Sequence, residues 1–337
     1  MPMEPLPYDP READHRSRSR LNGLCSYVID RVTHLRTDAG WIESRLADER
    51  TRVLPVWRSR NLVQAGDLAH AVMFAPGEAA DLIEGTDALV LLGEDEGVAY
   101  FAAAVSPRDD ALHARLSSLG EFLDLRDTAP LLAARETALL AHARAMMHWH
   151  QTHRHCGSCG APTRVVEAGH SRVCTREACG RSVYPRTDPA IIVAVSRGER
   201  LLLGRKPDWP AGRFSTVAGF VEPGETLEEA VAREVKEETG VICDAVHYHS
   251  SQPWPFPSSI MLGFHATAAS DDIVVDRNEL DDARWFTREV IAAGLADGSF
   301  LLPRPLSVSF RLIEDWFDAD RPDGMPSLRS LAAGHTW

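Results

Sequence analysis

The stretch from Thr226 to Thr239 constrains this chain more than any other. At about 100° per residue, Leu227, Ala230, Val231 and Val235 fall on one apolar stripe of a helix. Glu234 and Glu238 lie inside that stripe, with Glu237 and Arg233 on its flank. Glu228, Glu229, Ala232 and Lys236 point elsewhere. A surface helix normally keeps its carboxylates on the solvated face. Inward carboxylates repel one another and are costly to desolvate, and a divalent cation relieves both problems. Oxygen-only ligands select a hard ion, Mg2+ or Mn2+. Such ions neutralise a pyrophosphate and lower the pKa of bound water. Arg233 is suited to hold a carboxylate through a bidentate contact. The competing reading is an acidic amphipathic helix with no ligand.

A second cluster lies upstream. Cys156-Gly-Ser-Cys159 and Cys174-Thr-Arg-Glu-Ala-Cys179 form two thiolate hooks. Four thiolates at such spacings close a tetrahedral zinc site and leave no ligand position for water, so the zinc is read as structural. Gly157 and Gly160 are read as allowing the tight turn of the first hook. His153, His155 and His170 stand close in sequence as substitute ligands or as surface histidines. Arg164, Arg172, Arg176, Arg181 and Arg186 lie in or beside the cluster and make the best local case for phosphate contact.

The chain has 337 residues, which at roughly 150 per domain allows about two domains. A formal net charge of −13 argues against a broad electrostatic grip on nucleic acid, though not against a local basic mouth. No apolar run is long enough for a membrane span. The polar start lacks the apolar core of a signal peptide, so residues 1–20 read as a disordered lead. Clustered thiols without an export signal point to metal ligation in the cytoplasm rather than to disulfides.

The apolar pattern places strands at Arg52–Val63, Ala88–Leu92 and Val98–Val105, with a hairpin turn at Gly93–Gly97, inside an α+β N-terminal domain over 21–127. Trp57 and Arg58 there read as core and surface rather than as ligand contacts. A connector helix follows over 128–155, then the cysteine module over 156–183. From 184 to 318, strands at Ala190–Ser196, Leu201–Gly204, Phe214–Ala218, Val241–Ser250, Ile260–Ala268 and Ala283–Phe286 flank the acidic helix, and Val308–Phe317 closes as a helix. That pattern predicts an α/β/α sandwich with a mixed sheet. Residues 319–337 read as a C-terminal tail.

Gly219, five residues, Glu225, seven residues, then Arg233-Glu234-Val235-Lys236-Glu237-Glu238-Thr239-Gly240-Val241 match the Nudix box at every fixed position. Gly219 and Gly224 are read as loop glycines and Gly240 as the helix stop. Downstream, Ser251-Gln252-Pro253-Trp254-Pro255-Phe256-Pro257-Ser258-Ser259 resembles the SQPWPFPxS segment of NADH pyrophosphatases. The prolines stiffen it, Trp254 and Phe256 offer flat faces near a base, and Gln252 offers an amide to an amide or ring edge. The alternative is a rigid loop filled by packing alone.

Over about residues 130–317 the chain thus resembles the zinc-ribbon-containing NADH pyrophosphatase family of Nudix hydrolases. The resemblance implies a Nudix sandwich preceded by a zinc ribbon and a smaller α+β domain. It implies Mg2+ or Mn2+ held by the Ala218 carbonyl, Glu234, Glu237, Glu238 and Glu279, with Glu238 the first choice for the base and Glu279 the second. Tyr184 and Phe220 resemble the pair that sandwiches a base, and Ser309 a small residue whose backbone meets the substrate. The segment from Gln252 through Pro253, Trp254, Pro255, Phe256 and Pro257 to Ser258 and Ser259 is implied to contact the substrate. The implied reaction cuts NADH or NAD+ into nicotinamide mononucleotide and AMP, and extends to NAD caps on RNA. A homodimer is implied as well. The rival is a ligand-sensing, nucleic-acid-binding regulator built on a silent Nudix domain. The complete set of box carboxylates, the acidic balance and the lack of a helix-turn-helix pattern oppose it.

Overall fold

The computed structural model describes residues 14–25, 29–66, 69–106, 108–334 and 336. Residues 1–13 of the expected lead fall outside these. The chain forms two units: residues 26–187 with 254–259, and residues 1–25 with 188–253 and 260–337. The described end of the lead is not irregular. It forms helix α1 (His15–Leu21), capped by the Asp14 carboxylate on the Ser17 amide.

In the unit built on residues 26–187, α2 (Ala39–Leu46) precedes β1 (Arg52–Trp57), β2 (Arg60–Gln64) and β3 (His70–Ala71). Then come α3 (Ala80–Gly85), β4 (Leu89–Asp95), β5 (Val98–Ala104), α4 (Asp110–Ser117), β6 (Glu121–Leu123) and α5 (Leu125–Thr128). The strand order is β3-β2-β1-β5-β4, with β6 also on β2. β1 and β5 run parallel and the other pairs antiparallel, so this sheet is mixed. The single run expected over Arg52–Val63 is a hairpin. Arg58 and Ser59 both take left-handed backbone angles, a two-residue turn made without the Gly or Asn that would signal it. The turn expected at Gly93–Gly97 is present at Glu96 and Gly97, and Gly93 marks a register shift in β4.

One sheet face packs Val53, Leu62, Leu91 and Phe101 against Leu82, Leu112 and Leu116. The other carries α6 (Ala134–Thr152), which contacts β1 through β5 and buries Leu139, Leu140, Ala143, Met146 and Met147. The cysteine module follows as a small antiparallel sheet of β7 (Thr163–Val166), β8 (Ser171–Cys174) and β9 (Ser182–Val183).

The other unit holds β10 (Asp188–Arg197), β11 (Arg200–Arg205), β12 (Val217–Phe220), α7 (Leu227–Thr239), β13 (Cys243–Trp254), β14 (Ser259–Ala268) and β15 (Asp282–Thr287). Helices α8 (Arg288–Asp297), α9 (Val308–Ala319) and α10 (Leu328–Leu331) complete it. The strand order is β13-β14-β10-β11-β15, with β12 also on β10. Strand alternation builds the layers. Ile191, Val193, Val195 and Leu202 pack with Ala230, Val231 and Val235 of α7. Their neighbours Ile192, Ala194, Leu201 and Leu203 pack with Ile291 and Leu295 of α8 and Phe310, Leu312 and Ile313 of α9. Each Val, Leu, Ile or Phe among these contributes about 1.5–3 kcal/mol by burial, and a one-residue slip would expose both layers at once.

Two stretches expected to be loose are built into this unit. Asn22 donates to Ser250 Oγ at 3.0 Å and to the Ser251 carbonyl at 2.9 Å, and Ser251 N donates to Ser19 Oγ. The segment thereby covers β13, an end strand of the sheet that would otherwise present unpaired edges. At the other end, Leu328 and Ala332 are buried in the α8–α9 core, and Arg329 pairs with Glu314 through two contacts of 2.8 and 3.0 Å. Among the described residues no helix is long and apolar enough to cross a membrane.

Candidate active site

Helix α7 starts where the sequence demands it. Thr226 Oγ1 accepts from Glu229 N, and the Glu229 carboxylate accepts in return from Thr226 N, a reciprocal capping box. It stops at Gly240, left-handed at φ 72°, whose N–H donates to the Lys236 carbonyl. Between these ends the buried positions are Ala230, Val231, Glu234, Val235, Glu238 and Thr239. Both glutamates of the apolar stripe are therefore inward, Glu234 at 9% and Glu238 at 4% exposure, while Glu237 is exposed.

Gly219 is not a loop residue. It sits in β12, paired with Ile191 of β10, and a β-carbon there would overlap the Glu234 carboxylate. The missing side chain is what lets the helix carboxylate lie against the strand. Neighbouring Ala218 is half-buried opposite Ile192, and Phe220, 60% exposed, ends the strand. The turn before β12 is tied to α9. Ser309 Oγ lies 2.8 Å from both Ser215 Oγ and Thr216 Oγ1. Ser309 N donates to Ser307 Oγ, the cap of α9. The Ser309 N–H thus serves the helix cap, and the buried hydroxyl braces β12.

Arg233 organises the carboxylates. It chelates Glu225 through Nε and Nη2, reaches Glu234 at 2.9 Å and Glu237 at 3.1 Å through Nη1, and donates to the Phe220 carbonyl at 2.9 Å. This fork holds Glu225 below the usual carboxylate range. Glu225, a fixed box position, is therefore an anchor for the arginine. Glu279 reaches the site from the other side. Asp276 N donates to the Glu238 carbonyl and Val274 N to the Thr239 carbonyl, which fastens the turn carrying Glu279 to the end of α7. Buried Leu280 anchors that turn against Gly204.

Burial, then the charge of Glu279, pushes Glu238 up to about 8, opposed by Lys206. Burial also raises Glu234. Lys206, exposed in the loop after β11, is a charge the sequence reading passed over, since nothing in its spacing links it to α7. Inward carboxylates whose charged forms are disfavoured by burial and by each other are the donor set a hard divalent cation stabilises. Among the described residues, only the cysteines bring three or more such ligand atoms within 4.8 Å of one another. The carboxylates instead stand against Arg233, Lys206 and one another.

Those four sulfurs belong to Cys156, Cys159, Cys174 and Cys179. The Cys159–Cys174 and Cys156–Cys179 separations are 3.4 and 3.8 Å. Sulfurs on a tetrahedral zinc stand about 3.8 Å apart for bonds of about 2.3 Å, so the quartet fits zinc. Gly160 and Gly180, which follow the last cysteine of each hook, take the left-handed turn conformation, whereas Gly157 does not. The wider second hook closes through Cys179 N and Gly180 N on the Arg176 carbonyl. The histidines are not substitutes. His170 contacts the Leu91 carbonyl, and His153 contacts the Trp149 carbonyl. Arg172 is buried on Thr163 and His150, which removes it from the proposed phosphate set; Arg164, Arg176, Arg181 and Arg186 remain exposed.

The downstream loop divides in the structure. Gln252 is fully buried. Its amide donates to the Gly23 and Leu306 carbonyls at 2.8 and 2.7 Å and accepts from Val308 N at 2.8 Å. The expected contact to a substrate amide or ring edge is therefore not open to it. Pro253 and Pro257 are exposed, Pro255 is buried, and Trp254, Phe256, Ser258 and Ser259 are half-buried. The rings of Trp254 and Phe256 meet edge to face at 5.0 Å. Tyr184, just after β9, is 56% exposed.

Three family models match this organisation between residues 50 and 301. A NUDIX domain model matches residues 185–301, an NADH pyrophosphatase zinc ribbon model residues 151–184, and an NADH pyrophosphatase-like rudimentary NUDIX model residues 50–149. An NAD-capped RNA hydrolase of Mycobacterium bovis is 38% identical over 308 residues, covering 85% of this chain and 92% of that one. An NAD-capped RNA hydrolase of Macaca fascicularis is 42% identical over 235 residues, 66% of this chain and 51% of that protein. The chloroplastic Nudix hydrolase 19 of Arabidopsis thaliana is 43% identical over 229 residues, 62% and 51% of the two chains. The match spans about half the length of the latter two relatives. With three family models in register along its length and one relative matched nearly end to end, the chain belongs to the zinc-ribbon-containing NADH pyrophosphatase family of Nudix hydrolases.

Proposed function

We propose that this protein hydrolyses the pyrophosphate of NADH and NAD+ to nicotinamide mononucleotide and AMP, and removes NAD caps from RNA to leave a 5′-monophosphate. The observation that carries the reading is the burial of Glu234 and Glu238 on the apolar face of α7, with Glu279 brought to Glu238 by the 274–280 turn. The names of the relatives support the nucleotide, and the SQPWPFPSS segment is consistent with it.

Glu234, Glu237, Glu238 and Glu279, with the Ala218 carbonyl, are the groups that would hold Mg2+ or Mn2+. When bound, the ion neutralises diphosphate charge and lowers the pKa of water. Arg233 fixes the directions of Glu234 and Glu237. Glu238, inward on α7 with Glu279 beside it, would take the proton from the water that attacks phosphorus. Glu279 is the second choice for that role. Exposed Phe220 and Tyr184 offer faces for a base, as do Trp254 and Phe256, with Pro253, Pro255, Pro257, Ser258 and Ser259 shaping the loop. Cys156, Cys159, Cys174 and Cys179 would hold a zinc ion that braces the ribbon. The protein works as a homodimer in the cytoplasm.

The test is Glu238→Gln, which keeps size and burial. We expect AMP release from NADH to fall by about two to four orders of magnitude with the unfolding transition retained. Near-normal turnover by that variant would remove Glu238 from the reaction. A parent enzyme that releases no AMP from NADH in Mg2+ or Mn2+ would remove the function.

A further inference from the structure

We infer that Arg144, on the connector helix α6, is the positioning residue of the Trp254–Ser259 loop and thereby sets how tightly the substrate is held. The inference rests on the reading of Trp254 and Phe256 as substrate contacts. Arg144 lies far from the Nudix box in sequence and carries no motif signal.

Arg144 is 8% exposed on a helix whose buried positions are mostly apolar, with Thr137 and His150 the other polar side chains it buries. Its Nε donates to the Pro255 carbonyl at 2.8 Å, and its guanidinium carbon sits 4.7 Å from the centre of the Phe256 ring. A second arginine, Arg126, lies over the same ring at 5.3 Å. One carboxylate aligns both cations. Asp124 takes Arg126 Nε and Nη2 at 3.0 and 3.1 Å and stands 3.7 Å from Arg144 Nη2. Asp124 is itself fixed as the cap of α5, accepting from Arg126 N. Phe256 is thus held by two guanidinium groups, and the adjoining carbonyl by a hydrogen bond from one of them.

This arrangement is poorly explained by stability. A buried cation with a single close backbone acceptor and a carboxylate at 3.7 Å bears a desolvation cost that an apolar side chain would avoid. Arg144 Nη1 is buried with no hydrogen-bond partner among the described residues. A helix optimised only for packing would carry leucine or methionine here. What the arginine provides and methionine lacks is a directed donor to the loop backbone and a flat cation against the ring. Phe256 N bonds the Trp254 carbonyl in the same turn and the two rings touch, so fixing Pro255 and Phe256 also fixes Trp254.

The test compares Arg144→Met and Arg144→Lys with the parent in the full-length protein, by hydrogen exchange of the 250–262 segment and by steady-state hydrolysis of NADH. Methionine keeps the packing stem; lysine keeps the charge but not the planar fork. For Arg144→Met we expect exchange at Trp254, Phe256, Ser258 and Ser259 to speed up about tenfold or more. We also expect KM for NADH to rise about tenfold with kcat within about threefold of the parent. Thermal stability should be unchanged or raised. Phe256→Leu alone should raise KM similarly, and adding Arg144→Met to it should raise KM by less than the product of the two single effects, because they share the cation–ring contact while the Pro255 hydrogen bond is lost only with Arg144. Parent-like exchange and parent-like KM in a folded Arg144→Met protein would overturn the inference. If that variant does not fold, Arg144→Lys decides: faster loop exchange with raised KM supports the inference, and parent values overturn it. A parent that cannot cleave NADH would defeat the functional reading, while loop exchange would still judge the role of Arg144.

Discussion

Replacing Gly219 with alanine tests whether close contact between β12 and α7 is what aims Glu234. The new methyl group would overlap the carboxylate carbon and both its oxygens. A shift of the strand is opposed because Ala218, Gly219 and Phe220 are paired in register with Ile192, Ile191 and Ala190 of β10, the middle strand of the sheet. The carboxylate must therefore swing away, giving up its 2.9 Å contact with Arg233 Nη1. Displacing a positioned group by about 1 Å costs about a hundredfold in rate. Overpacking of this kind costs about 1–3 kcal/mol of stability. Gly219→Ala should then lower kcat for NADH by about a hundredfold while leaving a cooperative unfolding transition weakened by about 1–3 kcal/mol. A double-mutant cycle isolates the cause. In a Glu234→Ala background the methyl meets no carboxylate, so the stability cost of Gly219→Ala should nearly vanish, leaving a coupling energy of about 1–3 kcal/mol. Denaturant unfolding of the four proteins gives the coupling and NADH turnover gives the rate. Equal stability costs in both backgrounds, or parent-like kcat in Gly219→Ala, would refute the reasoning.

Gln252→Leu leaves the Gly23 and Leu306 carbonyls and the Val308 N–H without their buried partner. At about 1–3 kcal/mol for each such group, stability should fall by several kcal/mol, with KM for NADH little changed in the folded fraction. A variant of parent stability with a raised KM would return Gln252 to the substrate site. For the cysteine quartet, metal analysis should find one zinc per ribbon, and Cys174→Ser should lose it and make the remaining ribbon thiols reactive toward a thiol reagent. Full zinc content in that variant would show that the quartet is not the ligand set.

Much of the site is legible in the chain. The helical phase of Leu227 to Thr239 places Glu234 and Glu238 inward, and the structure buries both. Thr226, Glu229 and Gly240 mark the ends of α7 through local hydrogen bonds. The cysteine spacing brings four sulfurs together because each hook is a short turn. What was misread involves partners far apart in sequence. Gln252 carries every property of a ligand-binding amide, yet its acceptors lie at Gly23 and Leu306. Gly219 looks like a loop glycine until Glu234 lies against it. Arg172, within a run of basic residues, is used up on Thr163 and His150.

Local periodicity and spacing determined the acidic helix, the zinc hooks and the order of the domains, since these depend on contacts within a few residues. Tertiary structure alone decided which polar groups remain available. A hydrogen bond such as Gln252 to Leu306 or Arg144 to Pro255 satisfies a buried group over a separation of 54 or 111 residues. Burial makes such partners obligatory, and nothing local in the sequence records which groups they will be.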